Sequence, residues 1–167
     1  MSRRVSSACF TCDVREKACM TGGYMEFIGK REVAELANPG VVSRQLLSPK
    51  NSTSRRVTIT EVHLEPSASQ PRHTHEASEQ IWYALSGEGT LLLAEGQERP
   101  FLAGDVVRFE DGDVHGLCNT GNGEFVYLSV TAPPIDFGYA YQSVQQHAAT
   151  ADNREDVFEF HDDAPSS

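Results

Sequence analysis

Between Val41 and Pro134 the chain has no apolar run at helical spacing long enough to bury a face, and this constrains its fold more than any other feature. Short β-branched and apolar runs recur instead: "RVTITEVHL" (56–64), "SQPRHTH" (69–75), "QIWYALS" (80–86), "GTLLLAE" (89–95), "RPFLA" (99–103), "DVVRF" (105–109), "VHGLCN" (114–119) and "EFVYLSVTA" (124–132). The turns between them, "SGEG" (86–89), "EGQE" (95–98), "EDGD" (110–113) and "NTGNG" (119–123), each supply a glycine. "APP" (132–134) ends the last ladder, because proline has no amide hydrogen to donate. Strands of this size and number predict an all-β sandwich or barrel.

The flanks differ in texture. Residues 1–40 read as an irregular, cysteine-containing N-terminal arm, partly helical at "KREVAELA" (30–37), where Val33, Leu36 and Ala37 share one face and "NPG" (38–40) stops the helix. Residues 41–140 form the predicted barrel, with the aromatics of "IDFGYAYQSV" expected against its outside. Residues 141–167 read as an acidic, flexible C-terminal tail: from Ala151 onward six acids stand against one arginine, half of the chain's net charge of −10.

That charge would repel a phosphate backbone, so nucleic acid is not an expected partner. No apolar stretch has the length of a membrane span. The start, "MSRRVSSAC", lacks the apolar centre of an export or lipidation signal, and the expected compartment is the cytoplasm. Four cysteines suit a reducing environment. Cys9, Cys12 and Cys19 cluster as C-x2-C-x6-C, but no histidine precedes His63 to complete a zinc site, so they read as unbonded thiols.

The residues with chemical potential are His73, His75 and His115. On a strand, His73 and His75 point the same way, and a barrel could return His115 to them from another strand. The stretch H-x-H-x4-Gln80-x6-Gly87 resembles the first cupin motif, and Gly104-x5-Glu110-x-Gly112-x2-His115-x3-Asn119 resembles the second, with the spacings kept. The resemblance covers residues 43–134. It implies a double-stranded β-helix, the cupin jelly-roll barrel, whose motif histidines and one carboxylate or amide hold one divalent metal ion.

Two positions depart from the motifs. Glu110 stands where the second usually has proline. Gln80 fills the usual glutamate position, while Glu79 fits a shorter spacing that the superfamily also uses. Parity leaves both open: an unbroken strand would put Glu79 on the histidine face, but a turn at "EAS" (76–78) would reset the alternation. The superfamily spacing favours Gln80 as the fourth ligand, with Trp82 and Ala84 inward and Ile81, Tyr83 and Leu85 left as an outer apolar face. Glu79 is then a candidate general base beside the metal or merely exposed, and Arg108 reads as solvated. Three imidazoles and an amide would leave the ion its full charge and suit Mn, Fe, Co, Ni or Zn. The expected function is a metal-dependent enzyme on a small organic molecule, of dioxygenase, isomerase or lyase type. The alternative is a non-catalytic small-molecule-binding module. A homodimer is expected in either case.

Overall fold

The computed structural model describes residues 19–20, 23–141 and 143–146. Its strands are β1 (Cys19–Met20), β2 (Gly23–Tyr24), β3 (Ala34–Asn38), β4 (Val41–Leu47), β5 (Thr58–Leu64), β6 (Ser69–His73), β7 (Glu79–Ser86), β8 (Glu88–Leu92), β9 (Glu98–Leu102), β10 (Val106–Phe109), β11 (His115–Asn119), β12 (Phe125–Ala132) and β13 (Ser143–Gln146). Apart from the small β1–β2 pair, they form a seven-stranded sheet, β10-β7-β12-β5-β4-β3-β13, and a four-stranded sheet, β6-β11-β8-β9. Each pairing is antiparallel. The fold is the expected all-β double-stranded β-helix. Cys9, Cys12 and the acidic stretch from Ala151 lie outside the described residues.

Alternation builds the core. On β5 and β12 every second residue is buried, so Val62 and Leu64 face Phe125 and Tyr127 from neighbouring strands. The four-stranded sheet contributes Leu91, Phe101 and Leu117 from the other side. Phe101 meets Phe125 at 5.8 Å between ring centroids, and the Tyr127 hydroxyl donates to Gln70 Oε1 at 2.6 Å, tying the sheets together. Pro71 and Pro100 sit on β6 and β9, the two edges of the small sheet, where a missing amide hydrogen disrupts least.

The arm differs from its expectation. Within residues 30–37 only Lys30–Glu32 forms a 3-10 turn, and the stretch expected to continue the helix is strand β3, hairpinned to β4 through Pro39 and Gly40. Eight residues are too few to sustain a helix alone, whereas β4 and β13 together satisfy both edges of β3. Leu36, 1% exposed, is buried as a helical face would have had it, but by the strand period.

On β7, Gln80, Trp82 and Ala84 are buried, while Ile81, Tyr83 and Leu85 are exposed. Val106, 65% exposed and paired with Tyr83 on edge strand β10, extends this outer apolar face.

Two glycines are required by close approach. Gly87 has φ +88°, and a Cβ there would lie 2.7 Å from the Glu124 carbonyl oxygen. Gly116 lies where the β6–β11 register shifts, and its Cβ would lie 2.8 Å from the Gln70 carbonyl oxygen. Gly87→Ala is expected to lower stability by at least about 1–2 kcal/mol, read as a lower denaturant midpoint with an unchanged slope.

Candidate metal centre

The site is assembled by β6, β11 and the turns that follow and precede them. His73 ends β6 and pairs across the ladder with His115, the first residue of β11, their rings 4.5 Å apart. The bulge between them places Pro71 and Arg72 opposite Gly116 alone, which is why a side chain at 116 has no room. His75 lies two residues beyond the strand end, so the strand expected over 69–75 stops short. Its carbonyl accepts from Gly112 N–H at 2.9 Å, and this bond joins the His75 loop to the turn that leads into His115.

That turn also accounts for Glu110. Its N–H donates to Asp113 Oδ2 at 2.8 Å, a bond that proline could not make. The Asp113 carbonyl in turn accepts from His115 Nδ1 at 2.8 Å, as the Pro71 carbonyl does from His73 Nδ1 at 2.9 Å. Each bond fixes the tautomer that leaves an Nε2 lone pair free.

The candidate ligand atoms of His73, His75 and His115 all lie within 4.8 Å of one another. His75 Nε2 and His115 Nε2 are buried with no hydrogen-bond partner. Burial pushes the His75 imidazole down to about 4, and the neighbouring His73 adds to this. Burial likewise holds His115 at about 4, against the raising effect of its bond to Asp113, with His73 and His75 lowering it further. Neutral imidazoles with converging, unpartnered lone pairs are what a divalent cation requires, so the residues present fit a metal ion.

Aromatic rings hold these imidazoles in place. Phe109 stacks on His115 at 4.4 Å and 16°, Trp82 meets the same ring edge-on at 5.2 Å, and Phe137 packs against His75 at 5.6 Å. Phe137 was expected on the outside of the barrel, and its role here had no signal in the local pattern.

The turn at 76–78 resets the alternation as one reading of the sequence required. Gln80 is 3% exposed on the inner face, and its Oε1 accepts from Trp82 Nε1 at 2.9 Å. Glu79 lies on the opposite face of β7, where its Oε2 accepts from Arg108 Nε at 2.9 Å while Arg108 Nη1 binds Glu110 Oε1 at 2.8 Å. The acid singled out as a candidate base is thus engaged at the surface, because strand alternation allows only one of the neighbours to face inward.

The fold and site define a small β-barrel with a histidine cluster that could hold a metal ion. The cupin domain pattern matches residues 60–131. The oxalate-binding protein of Thermotoga maritima is 34% identical over 85 residues, covering 51% of this chain and 69% of the relative. A Thermotoga maritima structure described as a predicted oxalate decarboxylase is 32% identical with TM-score 0.51, covering 56% of this chain and 80% of that one. A Klebsiella pneumoniae protein with a double-stranded β-helix domain is 26% identical with TM-score 0.53, covering 59% and 81%. The chain belongs to the cupin superfamily.

The depressed histidines set a pH dependence for the metal-free protein. Their folded pKa values lie below the usual 6.5, so the unfolded chain binds more protons between about 4 and 6.5. Stability from these two groups is therefore full above about pH 6.5 and is lost as pH falls towards 4. Denaturant midpoints measured from pH 7.5 to 4.5 are expected to fall more steeply for the parent than for a His75→Asn, His115→Asn variant.

Proposed function

We propose that the chain is a metal-dependent cupin that captures a small carboxylate at one divalent ion, of Mn, Fe, Co, Ni or Zn, held by His73, His75, His115 and Gln80. The observation that carries this reading is the pair of buried, unpartnered Nε2 atoms of His75 and His115, the latter on a ring whose Nδ1 is already anchored by the Asp113 carbonyl. Gln80 would contribute Oε1, which has a second lone pair beyond the one facing the Trp82 indole. A ligand set without carboxylate leaves the ion its full charge and favours an anionic partner. The relatives named for oxalate support that choice of ligand class.

The second reading is a metal-dependent enzyme, of dioxygenase, isomerase or lyase type, and the same neutral ligand set favours it. Such an ion would supply Lewis-acid polarisation of a bound oxygen. The chain's own residues would orient the ligand and exclude water through Phe109, Trp82 and Phe137. With Glu79 turned to Arg108, that carboxylate is not placed to accept a proton at the centre. We further propose a homodimer through the Ile81, Tyr83, Leu85 and Val106 face, and a cytoplasmic setting in keeping with the unbonded Cys118.

Elemental analysis is expected to find close to one metal equivalent in the parent and almost none in the His73, His75, His115 triple alanine variant. Gln80→Ala is expected to weaken metal binding by about tenfold or more, with Glu79→Ala close to the parent. Normal retention by the first and loss by the second would reverse the ligand assignment. Calorimetry should show oxalate binding to the loaded protein only, and oxygen uptake or carbon dioxide release would move the reading from capture to catalysis. Tyr83→Glu is expected to shift the sedimentation mass from dimer to monomer.

A further inference from the structure

The inner face of the seven-stranded sheet carries polar residues that the metal centre does not use. Cross-strand pairing sets Gln80 of β7 beside Thr131 of β12, and the next row runs from Ser129 of β12 through Thr60 of β5 to Gln45 of β4. Thr131, Thr60 and Gln45 are 0%, 4% and 1% exposed. Thr131 Oγ1, Thr60 Oγ1 and Gln45 Nε2 have no hydrogen-bond partner. Neighbouring buried groups show that partners are within reach elsewhere: Thr58 Oγ1 donates to the Ile135 carbonyl at 3.0 Å, and Ser43 Oγ meets the Tyr141 hydroxyl at 2.6 Å. An unmet buried donor costs more than its hydrogen bond would return, so packing alone would select valine at Thr60 and Thr131.

The strip is continuous with the centre. Gln80 is bonded to Trp82, whose ring abuts His115, and Thr131 adjoins Gln80 directly. Strands lie about 4.8 Å apart, so three steps from β7 to β4 carry the strip roughly 14 Å from Gln80 to Gln45. It is also uncharged, since Arg44, Glu61, His63 and Glu79 project from the other faces of the same strands and pair there. Hydroxyl and amide groups without a cation suit hydroxyl or carbonyl oxygens, and give a second, buried carboxylate no compensating charge.

We propose that Thr131, Thr60 and Gln45 form a second subsite, which holds the hydroxyl or carbonyl oxygens of a ligand whose carboxylate sits at the ion. The preferred ligand is then a hydroxylated carboxylate of more than two carbons, because chelated oxalate is too short to extend along the strip. This inference rests on the metal-dependent carboxylate reading above.

The test uses the nickel-loaded full chain with three probes. D-gluconate and 2-hydroxyhexanoate share chain length and chelating head and differ in the further hydroxyls, while oxalate reports on the centre alone. Calorimetry is expected to show gluconate bound about tenfold or more tightly than 2-hydroxyhexanoate. The Thr60→Val, Thr131→Val variant is expected to lose that preference. In its metal-free form it should melt at or above the parent temperature, because two unmet hydroxyls have been removed. Equal affinities in a parent that binds oxalate would overturn the subsite and leave the centre standing. Failure to take up nickel or oxalate would overturn the underlying reading, and the subsite with it. A lowered melting temperature in the variant would show that the hydroxyls serve the fold, and would also overturn the proposal.

Discussion

The structure depends on one constraint: successive residues on each strand must face opposite sides, so the inner faces of two antiparallel sheets together decide what the barrel holds. At one end the inward rows are Val41, Leu64 and Phe125, closed by Phe101 and Leu117 from the small sheet. At the other they are Gln45, Thr60, Ser129, Thr131 and Gln80. The first end holds the sheets together by excluding water. The second forgoes that gain at a cost in buried polar groups, and the histidines stand at this end.

The cluster is kept competent by bonds that precede any ligand. Carbonyls of Pro71 and Asp113 select the tautomers of His73 and His115, and the Gly112–His75 bond holds the two motif loops together. Burial keeps two of the imidazoles neutral, and stacked or edge-on rings limit their rotation. The same arrangement is unfavourable for an empty core, since lone pairs are desolvated without compensation. Arrangements of this kind are the usual mark of a functional site, where stability is exchanged for preorganisation.

The arm shows where local pattern misled. Val33, Leu36 and Ala37 read equally as a helical face, but a short helix makes few bonds of its own. The hairpin with β4 and the return of β13 provide a ladder on both edges of Ala34–Asn38. Phe137 was misread for a related reason. It follows the last barrel strand by only a few residues, but its ring reaches His75, some sixty positions away in sequence, and no local periodicity encodes such a contact.

The strand runs, the turns that punctuate them, the histidine set and the need for glycine at 87 were legible in the sequence alone, because each is written in short-range spacing. The choice between Glu79 and Gln80 was not. Alternation runs unbroken only within a strand, and the turn at 76–78 restarts it at a parity that the partner strands β10 and β12 impose. Tertiary structure therefore decided that Gln80 faces inward and Glu79 meets Arg108, that a bulge at Gly116 sets His115 opposite His73, and that three unpartnered polar side chains line one face. These are all relations between strands distant in sequence, and only closing the barrel brings them together.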